Sequence, residues 1–238
     1  MTWKTEEFLK LVEKCYGSHQ VELLRPSLCS LTWKLIMVCY HAYEAKEKLK
    51  IFSTDRDSEN IKEVIKQIFL QVSESKEASN FLEAQFISEA NVIAFAQSLH
   101  STADILAHVI YHGLNFESYT EGHIDENILG LSNVREKLQK LGIDLNILSA
   151  IDKFLNSPAF VYLQAYVNTT KHRSLIDSKY SVFLSDMKHG IIISSFEYKG
   201  KKWPEKRADD FTTKDFKVIN EGIISIGIEM NNFLEQLK

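Results

Sequence analysis

Two groups of side chains in this chain have the types and spacing to move protons or hold phosphate. His100, Asp104, His108 and His112 recur every four residues. On a helix each would sit about one turn above the last, slightly rotated. A carboxylate one turn from an imidazole can accept its ring N–H, fix the tautomer and raise the ring's basicity. Two histidines at i, i+4 can also chelate a transition metal, which would suit a metal-dependent hydrolase built into a helical bundle. No other His-rich or acidic cluster completes a metal shell, so no metal is expected. The plainer account is a solvated helix face, with His112 set against the negative end of the helix dipole.

The second group is Asn168, Lys171, His172 and Arg173. Phe160, Leu163 and Val167 form an apolar stripe at helical spacing that Lys171 continues, while Gln164, Asn168 and His172 form the stripe beside it. A lysine on a core-facing stripe must pair, snorkel or line a cavity. If the two groups meet, His172 is the candidate acid or base and Lys171 the phosphate contact. Asn168 would orient by hydrogen bonding, and Asp104 would orient His100. Otherwise Lys171, His172 and Arg173 only complement a helix C-terminus, and Asp104 and Asn168 cross-link helices in a non-catalytic module.

Two weaker signals stand beside these. Lys199, Lys201, Lys202, Lys206 and Arg207 surround Trp203, a composition able to hold phosphate and stack a base, or to protect an edge strand. Gln85 and Glu89 lie one turn apart, and Glu89 is a candidate carboxylate partner for Lys171 or His172. Glycine-rich phosphate loops, a nucleophile-elbow serine and a zinc-protease helix motif are all missing, which argues against P-loop hydrolysis, dinucleotide chemistry and ordinary esterase activity.

The elements that must position these residues are mostly helical. Of 238 residues, 45% are hydrophobic and 25% charged, with nine Gly and three Pro, as in a globular chain of long helices joined by few turns. The net charge of −4 leaves any polyanion to be held by a local patch. Periodicity and caps predict helices over Thr5–Tyr16, from Pro26 to about Lys50, over Ile61–Val72 after a loop at Ser53–Asn60, and from about Asn80 to Tyr111. Further helices are expected at 132–141, 145–156 and from Ser157-Pro158 to about Arg173. Ser181–Leu184 and Gly190–Tyr198 read as strands, with a Lys199-Gly200 turn before Lys201–Trp203 and a stop at Pro204. Thr212 and Asp215 read as the capping box of a last helix.

The expected fold is therefore mainly α: a single helical domain over 1–238, a bundle with a long central helix and a small β-hairpin insertion over 180–204 before the C-terminal helix. The odd set Cys15, Cys29 and Cys39 suggests buried free thiols in a reducing compartment. The acidic N-terminal stretch is unlike a signal peptide, and the most apolar run, Phe86–Leu114, is broken by Glu89, Gln97, His100, Asp104 and His108. A cytoplasmic protein with no membrane partner and no cofactor is expected.

Tyr162-x3-Tyr166-Val167-Asn168-x2-Lys171-His172-Arg173, preceded by His100-Ser101-x2-Asp104-Ile105-Leu106, resembles a group of bacterial all-helical proteins and, more distantly, the HEPN-type helical bundles. The resemblance covers about residues 80 to 200. It implies RNA or nucleotide binding or cleavage in defence or stress systems, by a phosphodiester- or nucleotide-cleaving hydrolase or a non-catalytic relative, and is compatible with a homodimer. The catalytic HEPN pattern has an Arg with a His after four to six intervening residues. No Arg here has one, and Asn168 stands nearest to that Arg position.

Overall fold

A computed structural model of the chain describes residues 2–50, 76–183 and 188–237. The expected loop at Ser53–Asn60, the expected helix at Ile61–Val72 and the strand end at Leu184 lie outside these residues. The described chain is mainly α-helical, with a small antiparallel strand set before the C-terminal helix.

Helix α1 (Thr5–Tyr16) buries Phe8, Leu11 and Val12 and stops at Gly17, where a φ of 88° suits a residue without Cβ. Helix α2 (Ser18–Lys50) begins well before Pro26, which lies inside it. Pro26 and Glu22, the residue whose carbonyl loses its helical donor, are both exposed, so this side of the helix faces solvent where the bond is missing. Helix α3 (Lys76–Gly113) is the longest, and the 3-10 turns Phe116–Ser118 and Glu126–Ile128 lead from it to α4 (Leu131–Leu141). Asp144 caps α5 (Leu145–Leu155), accepting from the amides of Asn146 and Ile147 at 2.6 and 2.9 Å. Ser157 Oγ accepts from the Phe160 amide at 3.2 Å, starting α6 (Pro158–His172) as the sequence predicts.

The chain divides into two compact units, each assembled from separate stretches. The first comprises Met1–Ile36, Ser98–Val161 and Phe216–Lys238. Here α1 and α5 pack on the last helix, α7 (Phe216–Gln236). Glycines set the closeness of that packing: a Cβ on Gly222 would lie 2.6 Å from the Phe154 ring, and one on Gly227 would lie 2.1 Å from the Trp3 indole. Trp3 Nε1 donates to Asn231 Oδ1 at 3.2 Å, and Arg135 on α4 grips Asp152 on α5 through Nε and Nη2 at 2.8 and 3.1 Å.

The second unit comprises Met37–Gln97 and Tyr162–Asp215. Within it Ser88 Oγ on α3 donates to the Ala45 carbonyl on α2 at 2.5 Å, and His41 Nδ1 lies 2.9 Å from Asn91 Oδ1. The β-element is larger than the one hairpin expected. Strands β1 (Ser178–Phe183), β2 (Lys188–Ile193) and β5 (Lys206–Arg207) form an antiparallel sheet in the order β1-β2-β5. Strands β3 (Phe196–Tyr198) and β4 (Lys201–Trp203) form a separate hairpin. Its turn residues Lys199 and Gly200 have φ of 51° and 73°, the paired left-handed conformation that joins two strands in two residues. Phe196 and Trp203, opposite each other, dock against Tyr162 of α6 with ring centroids 5.7 and 5.8 Å away.

The predicted capping box does not form. The helical chain already starts at Ala208–Asp210 and passes through a π-turn, Phe211–Asp215, into α7. Thr212 Oγ1 donates back to the Ala208 carbonyl at 2.9 Å, and Asp215 is drawn instead to Lys206 of β5. The cysteines are free, but only Cys15 is partly buried. Cys29 and Cys39 are exposed because they fall off the buried line of Leu28, Leu31 and Val38 on α2.

Candidate functional site

The residues singled out by type and spacing fall in both units. His100, Asp104, His108 and His112 belong to the first and Asn168, Lys171 and His172 to the second. His100 is half-buried and stacks on Phe160, ring planes 5° apart and centroids 6.2 Å apart. Asp104 is exposed, and its carboxylate makes no hydrogen bond or ion pair with a described residue. Side chains one turn apart start about 5–6 Å from each other, and the short Asp104 carboxylate stays in water rather than reaching an imidazole. The expected orientation of His100 by Asp104 is therefore not formed. His108 and His112 do come together, centroids 6.4 Å apart. Burial, followed by the neighbouring His108, holds the His112 ring below its usual pKa and favours the neutral imidazole. Among the described residues no group of three His, Cys, Asp or Glu is placed to hold a metal ion, so the metal-hydrolase reading has no ligand set there.

Along α6, Phe160, Leu163 and Val167 are buried, but the helix ends at His172, just over one turn beyond Val167. Lys171 therefore leaves the apolar stripe and is exposed, as are His172 and Arg173, while Asn168 is half-buried. All three basic residues lie where the helix presents unpaired carbonyls and negative dipole. Glu89 does not pair with them; it accepts from Gln85 Nε2 at 2.9 Å.

What the structure joins is this helix end and the β3–β4 hairpin. Docking of Phe196 and Trp203 on Tyr162 carries Tyr198 alongside Arg173, whose guanidinium carbon stands 5.3 Å from the Tyr198 ring centroid. Lys199 Nζ stands over the same ring at 5.4 Å. Lys201, opposite Tyr198 in the hairpin, places Nζ 4.1 Å from the Trp203 ring. Lys171 and Arg173 lie at this helix end and Lys199, Lys201 and Lys202 on the hairpin, where Glu197 stands opposite Lys202. Trp203 is no stacking platform, because it is buried beside Phe196 and its ring is already met by Lys201. Lys206 also leaves the basic group: it pairs with Asp215 and lies 3.8 Å from the Tyr162 ring centroid.

Three participants were missed by spacing. Tyr198 reads in sequence only as the last residue of a strand, and its role depends on the docking of the hairpin. Glu117 and His123 sit in the aperiodic connection after α3. There Glu117 accepts from the Tyr111 hydroxyl and lies 2.9 Å from His123 Nδ1. Compared with known proteins, this chain matches no family model, no curated protein and no solved structure. No helix among the described residues is long and apolar enough to cross a membrane.

Proposed function

We propose that this protein binds RNA, or a nucleotide, on the surface made by the end of α6 and the β3–β4 hairpin, and that His172 acts there as an acid or base in processing it. The observation that supports this reading is the convergence of Arg173 and Lys199 on Tyr198. It joins the Asn168–Lys171–His172 motif to the basic hairpin in one field of positive charge. A chain of net charge −4 needs such a local field to hold a polyanion. Arg173 supplies a planar fork for phosphate and a face on which an unpaired base stacks. Lys171 opposes phosphate charge. The imidazole of His172 takes the proton of a ribose 2′-hydroxyl as that oxygen attacks phosphorus, or returns one to the departing 5′-oxygen. The three unpaired thiols favour a reducing, cytoplasmic setting.

The test is anisotropy of labelled single-stranded RNA, with cleavage followed on gels. His172→Ala should keep fold and binding but abolish cleavage. The triple variant Lys171→Glu, Arg173→Glu, Lys199→Glu should bind nothing. Purified protein that neither binds nor cleaves any RNA or nucleotide offered would end this reading.

A second reading, a homodimerising module, is favoured by one feature of α2. Trp33, Ile36, Met37, Tyr40 and Tyr43 are exposed, with Trp33 65% and Tyr43 59% accessible. Spacings of three and four are those of a seam that packs on another helix. Sedimentation equilibrium should show association that Trp33→Glu with Tyr40→Glu removes; a monomer across the micromolar range counts against it.

A further inference from the structure

The connection after α3 closes a pocket of about 550 Å³ wholly within the first unit. Its polar lining includes Tyr111, His112, Glu117, His123 and Glu126. Both hydrogen bonds to Glu117, from Tyr111 and His123, fall on Oε1, which leaves Oε2 with no described partner. The Glu126 carboxylate makes no hydrogen bond or ion pair with a described residue, and neither do the ring nitrogens of His112. The His112 carbonyl is occupied: the Gln20 amide donates to it at 2.6 Å and ties the end of α3 to α2. Among the described residues no Lys or Arg lines the pocket, and Leu23 and Leu129 supply apolar wall.

This lining selects by charge. Hydrogen bonding by Tyr111, then by His123, holds the Glu117 carboxyl below its usual range and keeps it ionised. A phosphate or carboxylate ligand would meet two carboxylates and, among the described residues, no fixed cation. An ammonium or amidinium would instead find an open carboxylate oxygen, a second carboxylate and an imidazole acceptor, with apolar surface for the rest of the molecule.

We propose that this pocket binds a small organic cation, a primary amine or amidine on an apolar body, with its charged head between Glu117 Oε2 and Glu126 and its body against Leu23 and Leu129. The site is independent of the basic surface at α6, and one can fail without the other.

The experiment titrates the full chain with benzylamine and benzamidine, with benzyl alcohol and benzoate as uncharged and anionic counterparts, while following the histidine ring resonances by NMR. The two cations should saturate and shift His112 and His123, and the alcohol and benzoate should bind about tenfold more weakly or less. Glu117→Gln and Glu126→Gln should each weaken the cations by about tenfold, the scale of one lost charged hydrogen bond. Lys171→Ala should leave the titration unchanged. Both carboxylates are exposed, and unaltered circular dichroism establishes that the variants fold. No saturation by either cation up to about 10 mM, equal binding of the alcohol or benzoate, or unchanged binding in both Gln variants overturns the proposal.

Discussion

Arg173, the first residue past α6, stands with its guanidinium carbon 5.3 Å from the ring centroid of Tyr198, the last residue of β3. That contact turns a helix terminus and a hairpin, 25 positions apart in sequence, into one surface. It predicts separable effects on RNA binding. Arg173→Ala should weaken binding several-fold and lower the slope of log affinity against log salt by about one, the signature of one lost phosphate contact. Tyr198→Ala frees Arg173 and Lys199 from the ring that gathers them, so it should weaken binding several-fold while leaving the salt slope nearly unchanged, because both cations remain. Anisotropy titrations at several salt concentrations check both, and identical slopes for wild type and Arg173→Ala contradict the phosphate assignment.

Much of this frame is legible in the sequence, and the reasons are local. Gly17 and Gly142 stop helices, Ser157-Pro158 starts one, and Lys199-Gly200 turns a hairpin, because each depends on backbone preferences within a few residues. Where the reading failed, a longer-range interaction decided. Asp215 is taken by Lys206 across the sheet rather than by a cap. Lys171 escapes the stripe because α6 stops one turn past its core. Pro26 is absorbed into α2 because its side of the helix meets water. Of the site, the charged types were readable, whereas Tyr198, Glu117 and His123 gained meaning only from tertiary docking and an aperiodic loop, neither of which leaves a periodic signal.

Gly227 is predicted to be intolerant of any side chain. A Cβ there would sit 2.1 to 2.5 Å from three atoms of the Trp3 indole, so Gly227→Ala must displace that ring and break its bond to Asn231. Trp3 is only half-buried and can swing outward, which limits the cost to about 1–3 kcal/mol. Trp3→Ala should remove most of the penalty of Gly227→Ala. A double-mutant cycle by urea unfolding measures the coupling, and simple additivity contradicts the contact.

Lys206 and Asp215 form a largely buried pair beside Tyr162, at 22% and 17% exposure. Asp215→Asn leaves a cation near Tyr162 and Phe211 without its carboxylate and should destabilise by about 2–4 kcal/mol. Lys206→Met combined with Asp215→Asn removes both charges and keeps apolar contact with the rings, so the double variant should be more stable than Asp215→Asn alone. Denaturant midpoints decide it, and a double variant as unstable as the two single losses added together contradicts the pairing.

Acid should weaken the fold in two stages. Burial holds His189 below its usual value of 6.5, and its Nδ1 is buried without a partner among the described residues. The Tyr180 ring faces it at 5.6 Å. His112 is lowered in the same direction by burial and by His108, with Glu126 and Glu117 opposing. For both residues the unfolded chain takes up a proton first. Their stabilisation is therefore fully present above pH 6.5 and is lost as pH falls from there through the folded pKa. Glu117, held below 4.5 by the Tyr111 and His123 hydrogen bonds, adds a second loss that begins only below that value. Tyr111, its phenol pushed up to about 12 by burial and by Glu117, remains a donor throughout. Melting temperatures between about pH 7.5 and 3.5 should thus fall first from pH 6.5 downward and again below 4.5. His189→Phe should shrink the first fall to the part carried by His112 while leaving the second, and Glu117→Gln should remove the second. If His189→Phe reproduces the wild-type profile between pH 7 and about 5, burial of its neutral ring is not what couples this fold to acid.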